Sequence, residues 1–340
     1  MKIRNITLAL AILCSLSVTA QEKDVPNMIE TAKAYMRGGD FNNAILIYNR
    51  LLQSDPKNLE LLKNLAYTYY LKKDLVSAYN TAEKMADRAD ADVQTYQIMG
   101  MIYKALENSK DAEKMYRLAL KRYPRSGALH NEYGEMLWAK EKFKDAVAQW
   151  EEGIRMDPNY SGNYYNAAKY YYFSSDKVWG LLYGEIFINL ESYSPRTNEV
   201  KKLLLDGYKK LFADADIFKR QNTKNDFVKA YLTTMQNHAS DINTGITMEN
   251  LHNLRMNFIR EWDQALLAKY PYRLFDHQNQ LLGMSLLEAY DYWIFGDLFK
   301  AGSFESWSNA HPNEKAEFLR LQQNRVFKIP DGQYYQTTGK

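Results

Sequence analysis

The chain has 340 residues, 46% of them hydrophobic and 25% charged, with a formal net charge of +3. That length and composition suit a substantial core in two structural units and exclude disorder over most of the chain. The small charge, with no basic tract, argues against nucleic acid or an anionic membrane surface as partner. The single cysteine excludes an internal disulfide and a cysteine metal cluster.

The first expected element is an export leader over residues 1–20. Lys2 and Arg4 open it, an apolar run from Ile6 to Val18 follows, and Val18-Thr19-Ala20 offers a small-residue cleavage site before Gln21. The run is shorter than the ~20 residues needed to cross a bilayer. Leu13 precedes Cys14 where a lipid-attachment signal calls for a small residue, so ordinary cleavage near Ala20 is expected. The mature chain would then be close to neutral, free of cysteine, and located in the periplasm or at the outer-envelope surface. No later stretch is long and apolar enough to span a membrane.

From residue 25 to 194 small residues recur every 34 positions in two series. Ala32, Ala66, Gly100, Gly134 and Ala168 form one; Ala44, Ala78, Ala112, Ala146 and Gly180 form the other. Large residues keep step with them: Tyr35, Tyr69, Tyr103, Leu137 and Tyr171 after the first series, and Tyr48, Tyr116 and Trp150 after the second. Turn residues stand between the series at Gly38-Gly39-Asp40, Lys73-Asp74, Asn108-Ser109 and Lys140-Glu141. Pro56, Pro124 and Pro158 close units. The spacing predicts five pairs of helices, each with one buried face. A small residue on each helix lets two backbones approach closely, and the large neighbours fill the groove beside the contact. One pair cannot bury both faces, so neighbouring pairs must stack.

These residues resemble tetratricopeptide repeats, with small residues at the eighth and twentieth positions and proline at the thirty-second. The resemblance covers about residues 25–192 and is of the exported bacterial kind. Repeat two departs from it at Ala82 and Asp90, and repeat five at Gly184 and the late Pro195. The resemblance implies an all-α fold, a right-handed superhelix of about five helix pairs, whose first helices line a ligand groove. Carried over position by position, that groove holds Tyr67 and Tyr70, Met101 and Lys104, Glu135 and Trp138, then Tyr165, Lys169 and Tyr172. Aromatics with interspersed lysines suit an extended protein or peptide partner, and stacking on sugar rings is also physically possible. The chain's own C-terminal segment is another possible occupant. The two-carboxylate clamp of some relatives is not reproduced, because Ile29 and Lys33 stand at its first positions.

Beyond Pro195 the 34-residue register is lost, and a helical region over residues 195–327 is expected. Ser194-Pro195 starts a helix that continues through Glu199–Phe212. Thr223–Asp226 resembles a capping box ahead of Phe227–His238. Further helices are expected over Met248–Leu267, Asp276–Phe295 and Pro312–Gln323. A polar tail, mobile or extended, is expected over 328–340. His277, Gln280, Met284, Glu288 and Asp291 fall on one stripe of the fourth helix, which reads first as a solvated face and second as an acid–base or metal site. Gly283-Met284-Ser285 lacks the second glycine of a hydrolase elbow and lies within that helix. His238 and His252 lack metal-ligand spacing. Asp87, Asp90 and Asp92 lack the glycine and glutamate of a calcium loop. The expected function is therefore non-catalytic binding of a protein or peptide in the envelope, with no catalytic residue, cofactor or metal. A glycan-binding accessory protein, or an enzyme with its site in the C-terminal region, are the alternatives.

Overall fold

A computed structural model describes residues 25–324 and 326–336, and every regular element among them is helical. The leader over 1–20, including Cys14 and the cleavage point near Ala20, lies outside the described residues, as does the end of the polar tail, 337–340. The chain divides into two compact units, the first ending at Tyr123 and the second beginning at Pro124.

The first unit contains three helix pairs: α1 (25–37) with α2 (Phe41–Ser54), α3 (Leu59–Lys72) with α4 (Leu75–Glu83), and α5 (Val93–Ala105) with α6 (Ser109–Arg122). The repeat reaches into the turns. Asp40, Asp74 and Asn108 each cap a second helix, their side chains accepting from backbone N–H groups three residues on. The residue before each cap is left-handed, with φ of 81° at Gly39, 69° at Lys73 and 54° at Glu107. Only the first of these is the glycine that such a backbone favours. Ala32, Ala44, Ala66 and Ala78 are completely buried, as close helix contacts require.

The departure in repeat two has a structural result. Second helices α2 and α6 have 14 residues, whereas α4 has nine and stops at Glu83. Ala82 replaces the large aromatic that would pack its last turns, and the chain continues in turns to Asp90. Arg122 donates to the Arg88 carbonyl at 2.6 Å, fastening this unwound stretch to α6.

The second unit continues with α7 (Gly127–Ala139), α8 (Phe143–Met156), α9 (Ser161–Phe173) and α10 (Val178–Leu190), the fourth and fifth pairs. Gly134 is glycine for a packing reason. A Cβ there would lie 2.2 Å from Trp150 Nε1, which donates to the Asn131 carbonyl at 3.2 Å. Helix α10 is buried at every residue except Gly180 and Leu190, because it packs against α9 and also against α11 (Pro195–Leu211), α12 (Asp226–Asn237) and α14 (Arg273–Gly283). An all-round apolar helix of this kind belongs in a core.

The start at Ser194-Pro195 is as the sequence indicates, with a capping box between Ser194 and Thr197. Loss of register beyond it is not complete. Tyr165 and Tyr172 on α9 donate to Glu199 and Asp206 on α11, each pair 34 residues apart. Helix α11 thus stands where the first helix of a sixth pair would stand. The cap of α12 is Asn225, which accepts from Phe227 and Val228, rather than the Thr223–Asp226 box. Beyond α13 (Met248–Ala265), the helix expected over Asp276–Phe295 is broken. Helix α14 ends at Gly283, Ser285 takes a left-handed φ of 58°, and α15 (Leu287–Asp291) then runs into a wide π-turn over Tyr292–Gly296 and α16 (Asp297–Phe299). Two more helices, α17 (Ser303–Ala310) and α18 (Pro312–Asn324), complete the order. Residues 326–336 are non-helical and turn at Asp331–Gly332, with Phe327 and Ile329 buried in the second unit.

Candidate functional site

Within the first unit, the residues expected to line a groove sit at equivalent repeat positions of α3 and α5. Tyr67 and Tyr70 stack with ring centroids 6.2 Å apart and planes 16° from parallel. The Lys73 ammonium lies 5.8 Å from the Tyr70 ring. Met101 is half-buried and Lys104 exposed.

In the second unit α7 and α9 present the corresponding rows. Trp138 remains 38% exposed while packing on Phe143, Trp150 and Tyr170. Asn131 donates to Glu135 at 3.1 Å, and Asn166 of the next first helix donates to Asn131 at 2.8 Å. Tyr165 donates to Glu199 at 2.7 Å, and Lys169 bonds both the Tyr165 hydroxyl and Glu199. The Tyr165 hydroxyl bond, reinforced by Lys169, holds the Glu199 carboxyl below the usual range. Arg196 covers the Tyr165 ring at 5.0 Å, and Lys210 covers Tyr172 at 3.7 Å. Tyr165, Lys169 and Tyr172 are therefore bound into a ladder with α11, whose Arg196, Glu199, Asp206 and Lys210 sequence reasoning missed. The signal was present: adding 34 to Tyr165 and Tyr172 lands on Glu199 and Asp206.

The stripe of the expected fourth helix does not survive, since the break at Met284–Leu286 turns its two halves apart. His277 is buried between the rings of Tyr290 and Phe327, so it is no part of a solvated face. Asp291 is completely buried and belongs to an ionic cluster. Arg255, 3% exposed, pairs with both carboxylate oxygens of Glu185 at 2.6 and 2.8 Å, with Asp291 at 2.8 Å, and with the Tyr208 hydroxyl at 2.9 Å. Gln278 and Tyr290 also donate to Glu185. His252 closes the cluster at 2.7 Å from Asp291. This is a satisfied structural network, the form a buried charge requires.

Burial opposes the charged form of His252, but the bond to Asp291 and the attraction of Asp291 and Glu288 outweigh it and raise the imidazole above its ordinary value. A raised histidine binds its proton more tightly when folded. Its stabilisation is complete below the unfolded value near 6.5 and is lost as pH rises through the folded value. Urea unfolding of the wild type should therefore show a loss of about 1 kcal/mol from this pair on the alkaline side of pH 6.5, and His252→Gln should remove that share while leaving the parallel loss from Glu151, whose carboxyl burial raises to about 7. An unchanged pH profile in the variant would refute the assignment.

The remaining candidates are structural. Asp90 is chelated by Arg88, while Asp92 caps α5 and pairs with Lys63, so they do not converge on a cation. Gly283-Met284-Ser285 lies at the end of α14 and not within a helix. His238 pairs with Glu261 at 2.8 Å. Among the described residues no group of three or more His, Cys, Asp or Glu side chains is placed to hold a metal ion, and no helix is long and apolar enough to cross a membrane.

Two family profiles match the chain. One, described as anaphase-promoting complex, cyclosome, subunit 3, matches residues 38–118; the other, tetratricopeptide repeat, matches residues 99–161. No curated protein matches it. Among solved structures it is similar to YrrB, a TPR protein described as having an unusual peptide-binding site. That similarity has 17% identity and a TM-score of 0.40, over 55% of this chain and 97% of YrrB. Two crystal structures of MamA are similar at 19% and 16% identity, with TM-scores of 0.38 and 0.39, over 54% and 61% of this chain and 96% of MamA. The 34-residue register, its recurrence in caps and turns, and the matching profiles agree that the matched part of the chain is built of tetratricopeptide repeats.

Proposed function

We propose that this protein is a non-catalytic scaffold that binds a protein or peptide through the inner faces of its first helices, and that it does so in the cell envelope after export. One observation carries the reading: large side chains recur at the same repeat positions on successive first helices. Tyr67 and Tyr70 stack on α3, and Trp138 stands 38% exposed on α7 at the position that Tyr172 fills on α9. Half-exposed aromatics on rigid helices supply contact area at low entropic cost, the usual character of binding hot spots. The Lys169–Glu199 pair beside them adds charge to the face.

The test uses residues 21–340, with peptides selected from a random display library as probes. Trp138→Ala combined with Tyr165→Ala is expected to weaken the selected peptides at least about tenfold, with the helical circular dichroism retained. Unchanged affinity in the folded double variant would overturn the assignment. Selection of no peptide, together with saturable binding on a glycan array, would establish the glycan reading in its place.

A further inference from the structure

Residues 326–330 run extended after α18 with alternating side chains, and a turn at Asp331–Gly332, where Gly332 takes a φ of 88°, leads into 333–336. Val326 is 81% exposed, Phe327 6%, and Ile329 3%, with Lys328 and Pro330 exposed on either side of Ile329. A period of two is what a strand shows when one face is buried. Here, however, side chains hold the backbone. Asn159 grips Ile329 at both polar groups: its Oδ1 accepts from the Ile329 N–H at 2.8 Å, and its Nδ2 donates to the Ile329 carbonyl at 3.1 Å. Asn225 donates to the Tyr335 carbonyl at 2.6 Å.

The side chains have their own seats. Phe327 lies between the Arg273 guanidinium and His277. Tyr335 stacks on Phe227 with centroids 4.6 Å apart and planes 7° from parallel, between Tyr270 and Tyr272. Its hydroxyl donates to the Pro271 carbonyl at 2.8 Å.

An amide side chain that pairs with both the N–H and the carbonyl of one residue reads extended backbone whatever its sequence, while separate pockets read alternate side chains. That division of labour is how receptors hold extended peptides. We propose that this face of the second unit is a peptide-recognition site, occupied in cis by residues 327–336, which takes in trans a partner segment with apolar residues at positions i and i+2, a turn over i+4 and i+5, and a tyrosine at i+8. The bound strap itself supplies the argument for that chemistry. It is a different surface from the inner faces of the first helices, and its test is independent of theirs. A tethered ligand competes at high effective concentration, so the site is masked until the strap is released.

The experiment uses the full chain with the strap loosened by Ile329→Asp and Tyr335→Ala, and a fluorescein-labelled peptide of residues 326–336 as probe. Saturable anisotropy is expected, at least about tenfold tighter than with the wild type. Adding Asn159→Ala to the loosened variant should weaken it by about tenfold or more. A folded loosened variant that does not bind the probe would overturn the proposal. A concentration-dependent dimer in which a second copy's strap fills the site would overturn the partner peptide in favour of an exchanged copy. Should the variant not fold, hydrogen exchange on the wild type decides. The Ile329 amide is expected to exchange at least about a hundredfold faster than the core amides of α10, and equal protection would show the strap to be an inseparable part of the fold and refute the proposal.

Discussion

Arg255→Met destabilises the second unit by about 3–5 kcal/mol, the cost of leaving buried charge without its partner. The side chain removed is the only arginine in a cluster with two buried carboxylates, Glu185 and Asp291. Methionine fills similar volume but offers no proton to either. Arg255→Lys is expected to recover less than half of the loss, because one ammonium cannot reproduce the fork that spans both oxygens of Glu185 and reaches Asp291. The readout is specific. All six tryptophans, from Trp138 to Trp307, lie in the second unit, so their emission during urea unfolding follows that unit alone. A midpoint unchanged from wild type in Arg255→Met would contradict the assignment of this cluster as structural.

Phe227→Ala is expected to cost about 3–5 kcal/mol, lowering the melting temperature of the second unit by about 10 °C. Phe227 is 2% exposed and stacks on Trp179 with planes 16° apart. Trp262 meets its edge at 5.5 Å, and Tyr335 of the strap covers it on stacked planes. Removing the ring leaves a void shared by α10, α12 and α13, which cannot all collapse into it. The cost should exceed that of Tyr335→Ala, since Tyr335 is only half-buried and makes fewer of these contacts. Differential scanning calorimetry on the two variants checks the order, and a larger loss in Tyr335→Ala would reverse the roles given to core and strap.

The array was legible because its constraints are local and repeated. A helix pair closes through a small residue on each helix, and the next pair repeats that contact 34 positions later. Ala32, Ala66, Ala44 and Ala78 are all completely buried, as their periodicity requires. The caps were legible for the same reason: Asp and Asn at helix starts satisfy donors that every helix leaves open. The rows of residues on α3, α5, α7 and α9 could be read from the register. The engagement of Tyr165, Lys169 and Tyr172 with α11 could not be read from the small-residue pattern, since α11 keeps the spacing of its polar partners and loses the alanine or glycine that marks a repeat.

The C-terminal region was misread where local pattern and distant partner disagree. His277 and Asp291 look like polar residues on an amphipathic stripe, yet burial makes each a core residue with its own partners. Those partners are far along the chain: Arg255 reaches Glu185 across 70 residues, and Gln336 reaches Glu151 across 185. By itself the sequence determined the helix pairs and their register, because such contacts depend on spacing within about one repeat. Only the tertiary structure decided that α11 extends the ladder, that the polar stripe is dismantled to build an ionic core, and that the strap is held by Asn159 and Asn225. Those outcomes depend on which charges and rings meet across long stretches of chain, and on the cost of burying any of them unpaired, which periodicity does not encode.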